Sequence, residues 1–426
     1  MTILIFQSLL KNVRRLSGSP VLPPGELIDL ESLERFNRKV LIELADQHGE
    51  MFKICEEGRP QICIMGLERG RNLLSQHAAS LRPVNIDLTS LFSAGFMRLM
   101  AGETHKRYRN ALIAALNELD TVSAQNDLDV IAIQALRRYQ KARPDPEFAA
   151  QAFRDALSDI SAGFLIRLFF GARPGSELFE QLVTQFYRLG PHGVVWNVTE
   201  IQKREFKEIC ATLSELTHND VLADNSNILS TVFHGGNLDE TMLGNLIYMV
   251  EIGRYDMGGL FRWIARNAAV HADHSAKIAT ESDAIRSREI AQAFVRETLR
   301  MDQSERLIRE VTDGFRFEGF DFQKGWRVRI CLWESHKDAT SFADSFTFNP
   351  DRFLISMPSS NVFAPFGLDN HQCPFSAISV SLGTQFLQSL LRNFQISAVN
   401  DGASMRGPYH WEPPIDFSVT LSQIEN

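Results

Sequence analysis

From about residue 67 to residue 301, apolar side chains return at three- and four-residue intervals, the spacing of helices that each bury one face. The segments Leu128–Ala142, Glu147–Gly171, Glu177–Leu189 and Ile201–Thr217 carry this period most regularly. No internal repeat, low-complexity tract or clean linker interrupts the chain, so the middle of the protein reads as a helical bundle. Before it, Ser19–Gly25, with Pro20, Pro23 and Pro24, reads as an extended arm entering a first helix, Ile28 to His48. Met51–Cys55 and Gln61–Met65, around Gly58 and Pro60, suggest a small hairpin. After residue 310, Phe315–Phe322 and Trp326–Trp333 read as paired strands around Gly325, and Pro374–Asn393 resumes helical spacing. The expected fold is mainly α with a small β part: an N-terminal extension, 1–24, then one large domain, 25–426.

At 426 residues the chain is long enough to bury a sizeable core without disulfides or a structural metal. Its 44 Lys and Arg against 52 Asp and Glu leave a formal charge of −8, which offers nucleic acid no electrostatic footprint. Five cysteines, Cys55, Cys63, Cys210, Cys331 and Cys373, form an odd set with no CxxC pair. The apolar start, Met1 to Leu10, is broken by Gln7 and followed by Lys11, Arg14 and Arg15. That order is the reverse of a secretory leader, and the run is short of the roughly 20 residues of a membrane span. An amphipathic lead-in to a soluble, cytoplasmic protein with no membrane span is expected.

GxSxG, HExxH, P-loop and GxGxxG patterns are absent. The informative segment is Phe366-Gly367-Leu368-Asp369-Asn370-His371-Gln372-Cys373-Pro374-Phe375. Pro374 fits a first helical position, which puts Cys373 at the N-cap, where the helix dipole and free backbone donors favour a thiolate. A small buried cysteine before a helix is the plainer alternative. Zinc through His371 and Cys373 lacks a second ligand pair at the usual spacing.

This segment resembles the haem-ligand loop of cytochrome P450 enzymes, F-G-x-G-x-(R/H)-x-C-x-G followed by a long helix. Phe366, Gly367, His371 and Cys373 match in register, whereas Asp369 and Phe375 stand where the family has glycine. Glu297-Thr298-Leu299-Arg300 is similar to the family's ExxR, and Asn349-Pro350-Asp351-Arg352-Phe353 to the element whose arginine completes that network. His105 and Arg109 resemble the bacterial HxxxR, whose side chains share a helix face and reach haem propionates. Arg309 sits where the family places another propionate-binding arginine, and His371 would be a further donor. The resemblance implies haem b, an iron protoporphyrin IX, with Cys373 as the axial ligand.

The helix expected at Asp239–His271, capped by Asn237 with Glu240 three residues on, would cross the distal face of that haem. Against the family pattern A/G-G-x-(D/E)-T, Gly253 takes the glycine, Tyr255 the acid and Asp256 the alcohol. Tyr255 and Asp256 retain groups able to move protons, and Arg254 adds a charge suited to an acidic substrate or a peroxide. On the proximal side Pro374 has no N–H to offer the sulfur, which favours a more electron-rich thiolate. The expectation is a monooxygenase in oxidative tailoring of a small, largely apolar metabolite, held near Met249–Met257 and Leu81–Met100. Its electron donor would be a ferredoxin or flavoprotein docking near Cys373. The substituted pair keeps open a peroxide-using enzyme, or an isomerase or dehydratase that inserts no oxygen.

Overall fold

The structure is a computed structural model that describes residues 20–424 except 31–36, 85–90, 92–94, 101, 143–144, 191–197, 219–226, 304–305, 369–371 and 408–409. The lead-in Met1–Leu10 and His371 therefore lie outside the described residues. The chain divides into two units, Met1–Val84 with Arg306–Ser335, and Asn85–Glu305 with His336–Asn426.

The first unit is built on a five-stranded sheet in the order Met51–Glu56, Arg59–Ile64, Arg327–Cys331, Arg306–Val311, Leu81–Pro83. Only the Arg59–Ile64 and Arg327–Cys331 pair is parallel. The expected hairpin forms because Glu57 and Gly58 turn with φ of 53° and 71°, the left-handed pair that matches strand twist. Of the expected first helix, Leu30 and Val40–His48 are helical, while residues 31–36 between them lie outside the described residues. Upstream, the Ile28 carbonyl accepts the Cys55 N–H at 3.0 Å and Asp29 bridges Cys55, so this part of the chain is extended along the sheet edge. Gly25 permits that approach: its φ is +101°, and a Cβ there would lie 2.7 Å from the Lys53 carbonyl oxygen.

Phe315–Phe322 does not pair with Trp326–Trp333. Glu318 and Gly319, at φ 44° and 88°, fold Phe315–Phe317 back onto Phe320–Phe322, with the Phe315 and Phe322 rings stacked at 4.8 Å. Arg327–Cys331 is buried along its whole length and takes sheet partners on both sides, while Leu332–Ser335 is a short helix.

The second unit holds the long helices foreseen from the period: Gly102–Glu118, Gln125–Ala142, Pro146–Phe170, Glu177–Leu189, Glu200–His218, Glu240–Val270, Ala284–Thr298 and Ser376–Asn393. Two hairpins close it, Phe394–Val399 with Ser418–Gln423 and Met405–Arg406 with Trp411–Glu412. Helix Glu240–Val270 packs against Pro146–Phe170 and Ser376–Asn393. Its Phe261 lies edge-on to Phe164 at 5.7 Å and stacks on Phe386 at 4.5 Å, all three fully buried. Burying each such ring contributes about 1.5–3 kcal/mol. The N-cap is Asp239, whose carboxylate accepts the Met242 N–H at 2.8 Å; the expected cap, Asn237, instead donates to the Gly235 carbonyl. Among the described residues no helix is long and apolar enough to cross a membrane.

Helix Ser376–Asn393 begins three residues after Cys373, with Phe375 as its N-cap, so Cys373 is not the cap and Pro374 is not the first helical residue. Pro374 and Phe375 form a turn, and the first helical bond runs from Ser379 N–H to the Phe375 carbonyl at 2.7 Å.

Candidate functional site

Glu297, on the last turn of helix Ala284–Thr298, and Arg300, in the π-helical turn Leu299–Gln303 that continues it, are both fully buried. Arg300 Nε and Nη2 reach the two Glu297 oxygens at 2.7 and 2.8 Å, the bidentate geometry that makes such pairs strong. Glu297 Oε1 also accepts the Asn349 N–H at 2.8 Å and Arg352 Nε at 3.2 Å. Arg300 Nη1 donates onward to the carbonyls of His336, at 3.0 Å, and Ser345, at 2.6 Å. The ExxR and the downstream arginine thus form one network that fixes the segment from His336 to Arg352.

That segment in turn holds the cysteine loop. His336 Nε2 accepts the Ala364 N–H at 3.0 Å. Burial, with Lys337 and Arg300 nearby, holds the His336 pKa well below its ordinary value, so the ring stays neutral and can accept. Nothing in the local sequence pattern singles out His336, because its role depends on Ala364, 28 positions on. Beyond Ala364, Gly367 turns at φ +89° and the Phe366 carbonyl accepts the Cys373 N–H at 3.0 Å, closing the loop. Phe366 therefore shapes the cysteine loop through its backbone.

Burial is the largest influence on the Cys373 thiol and pushes it up to about 11; the Phe375 N–H bonds the sulfur and opposes this, Asp256 adds to it, and Arg109 and Arg98 oppose it. Phe375 thus supplies a donor to the sulfur although Pro374 cannot. Those interactions place Asp256, Arg109 and Arg98 within electrostatic reach of one sulfur. Arg109 Nη2 donates to the Gln372 carbonyl at 2.9 Å, beside the cysteine. His105, one turn earlier on helix Gly102–Glu118, feels Arg109: burial first, then that charge, lowers its pKa. Arg98, which spacing did not reveal, donates to the Tyr248 hydroxyl at 2.8 Å. Arg309 belongs to the first unit, where it is buried on strand Arg306–Val311 and donates to the Ile308 carbonyl.

Helix Glu240–Val270 is buried on most sides but leaves a stripe less covered, Tyr248, Met249, Ile252, Tyr255, Asp256 and Gly259. Asp256 is the most open of these, its side chain 56% exposed and its Oδ1 3.8 Å from His410 Nε2. Tyr255 donates to Glu412 Oε1 at 3.1 Å, and Glu412 is paired with Arg262 at 2.8 Å. One residue departs from expectation. Arg254 is 1% exposed, pairs with Glu251 at 2.9 Å and donates to the Phe186 carbonyl at 2.7 Å and to that of Gly190. Its charge is spent on the end of helix Glu177–Leu189, not offered to a substrate or peroxide. Gly253 is half-buried and lies against helix Pro146–Phe170, where a Cβ would lie 3.2 Å from Leu165 Cδ1.

A family model described as cytochrome P450 matches residues 268–409, which contain the Glu297 network and Cys373. The solved structure of retinoic acid-bound cyanobacterial CYP120A1 superposes with a TM-score of 0.71 at 19% identity, covering 95% of this chain and 100% of that one. Residues 268–409 therefore match the cytochrome P450 family model, and the chain as a whole has the fold of solved P450 structures. Abscisic acid 8'-hydroxylase 1 of Arabidopsis thaliana is 22% identical over 366 residues, 77% of this chain and 74% of that protein. A Mycobacterium bovis protein designated cytochrome P450 138 is 22% identical over 387 residues, 84% of this chain and 85% of that one. Cytochrome P450EX alpha, solved with myristic acid, superposes with a TM-score of 0.67 at 13% identity over 95% of this chain and 100% of that one.

The P450 family implies a haem-iron cofactor, and the residues present fit one. Arg109, Arg98 and His105 supply the cationic and donor groups that anionic edge substituents of such a cofactor require. The second unit also has a cavity of about 370 Å³ between helix Glu200–His218 and the start of Glu240–Val270, walled by Phe206, Cys210, Leu238 and Leu243 and by the polar Lys207, Asp239, Glu240 and Thr241.

Proposed function

We propose that this protein is a cytochrome P450 monooxygenase that oxidises a small, largely apolar metabolite, with haem b held by Cys373. The observation that carries the reading is the loop presenting Cys373, closed by the Cys373 N–H donating to the Phe366 carbonyl at 3.0 Å and met by Arg109 Nη2 at the neighbouring Gln372 carbonyl at 2.9 Å. Bound there, the haem iron supplies the chemistry of oxygen activation, in which a substrate C–H, dioxygen, two protons and two electrons become an alcohol and water.

The chain's own residues orient and protonate. Phe366 and His336 fix the cysteine loop, and the Phe375 N–H stabilises negative charge on the sulfur. Arg109 and His105 would anchor the propionates, with Arg309 and His371 as the further donors expected from the resemblance. Asp256, the open carboxylate of the stripe, holds the proton that the reaction consumes, while Tyr255 is committed to Glu412. Electrons would come from a ferredoxin or flavoprotein.

The Tyr255-Asp256 replacement of the family's acid and alcohol favours a second reading, a peroxide-driven or non-oxygenating enzyme. Incubation of the holoenzyme with candidate apolar substrates under reductant plus oxygen, under peroxide, and under neither separates them. Oxygenated product only with reductant and oxygen supports monooxygenation, product with peroxide alone supports the second reading, and isomerised or dehydrated product with neither overturns oxygenation.

A further inference from the structure

We propose that His410 is a positioning residue for Asp256, the imidazole and the carboxylate forming a proton-holding pair beside the oxygen-activating centre. The inference rests on the reading that Asp256 serves that centre. His410 Nε2 stands 3.8 Å from Asp256 Oδ1, and its ring lies tilted against Tyr255 at 5.2 Å. His410 is 6% exposed, yet neither ring nitrogen has a hydrogen-bond partner among the described residues. Buried polar atoms are nearly always satisfied, so an imidazole with two unmet nitrogens facing a carboxylate is poised to bond that carboxylate directly or through one water.

The hairpin that carries His410 is bolted to the helix that carries Asp256. Trp263 Nε1 donates to the Trp411 carbonyl at 3.0 Å, Arg262 Nη2 to the Pro414 carbonyl at 3.0 Å, and Arg262 Nη1 to Glu412 Oε2 at 2.8 Å. Gly407 lets the turn close, because a Cβ there would lie 2.6 Å from the His410 carbonyl oxygen and 2.5 Å from Glu412 Oε1. The charged and titratable groups around the pair are Tyr255, Asp256 and Arg262 on the helix and Glu412 on the hairpin, with Arg406 across the hairpin from Trp411. Glu412 is neutralised by Arg262 and takes the Tyr255 hydroxyl, while Asp256 Oδ1 faces His410 Nε2 across 3.8 Å. In the delivering direction an imidazolium gives its Nε2 proton to Oδ1, the carboxylic acid so formed would pass it on toward the haem pocket, and the neutral imidazole regains a proton from solvent. In the accepting direction the same path runs backwards.

Hydrogen cyanide tests the pair without turnover, because it binds ferric haem as cyanide and must surrender its proton to a nearby base. Carbon monoxide, which binds ferrous haem with no proton to lose, is the control. In the holoenzyme, His410→Gln and Asp256→Asn should each slow cyanide association about tenfold or more. The double variant should be no slower than Asp256→Asn alone, and carbon monoxide association should be unchanged in all of them. Cyanide association at the wild-type rate in His410→Gln, with Asp256→Asn slowed, overturns the proposal and leaves the Asp256 reading standing. An unaffected Asp256→Asn overturns both. Equal slowing of cyanide and carbon monoxide in His410→Gln shows a structural role and overturns the pair; His410→Asn provides the same comparison if His410→Gln does not fold.

Discussion

The imidazole Nε2 of His336 accepts the Ala364 N–H at 3.0 Å, while the His336 carbonyl accepts Arg300. One residue thereby couples the buried Glu297–Arg300 pair to the loop that presents Cys373. Replacing His336 with leucine strands the Ala364 N–H, a cost of about 1–3 kcal/mol. The expected outcome is a lowered unfolding midpoint together with loss of haem per protein, read by denaturant titration and by the pyridine haemochrome.

The same residue gives the protein a pH dependence whose sign is fixed. The folded His336 pKa lies well below 6.5, so below that pH the unfolded chain binds a proton that the folded one does not. The stability associated with His336 is present above pH 6.5 and is lost as pH falls through its depressed folded value. Unfolding measured from pH 7 down to pH 5 should therefore show a steeper loss in the wild type than in His336→Gln, which keeps an acceptor but does not titrate. Parallel curves would remove His336 from the account.

Arg109 meets the Gln372 carbonyl on one side and shares a helix face with His105 on the other. Arg109→Ala should weaken haem retention more than Lys106→Ala, because Lys106 on the same helix is exposed and pairs with Glu103. Haem-to-protein ratios after dialysis give the comparison, and equal retention would contradict the assignment.

Gly253 lies against Leu165. Gly253→Val should destabilise the fold by about 1–3 kcal/mol through overpacking, and Leu165→Ala should restore part of that loss in the double variant. If Gly253 instead met the cofactor, Leu165→Ala would rescue nothing and the Soret band of the single variant would shift. Thermal unfolding and absorption of the four proteins distinguish the two.

What the sequence revealed and what it hid follow from the range of each signal. Helical period, the Glu57-Gly58 turn and the Glu297, Arg300, Arg352 and Cys373 motifs are local patterns, and each appears in the structure as an element or a contact. The caps fall two residues beyond Asn237 and Cys373, because several residues near a helix start can cap and only the backbone decides. Strand partners failed for a similar reason: Glu318-Gly319 closed a hairpin locally, and the parallel partner of Arg327–Cys331 lies some 270 residues earlier, where no pattern points to it. The face of a buried helix was the least legible. Arg254 sits among candidate site residues in sequence, yet the 3.6-residue turn carries it toward Glu177–Leu189 while Asp256 stays on the open stripe. His336 and His410 were missed because each acts on a residue distant in the chain.

The central claim is that Cys373 ligates haem iron through its sulfur. Its most direct test is the absorption spectrum of the reduced, carbon monoxide-treated holoprotein and of its Cys373→Ala variant. The account predicts a thiolate-type, red-shifted Soret band in the wild type and its loss in the variant. A wild type without that band, or a variant whose spectrum is unchanged, would contradict it.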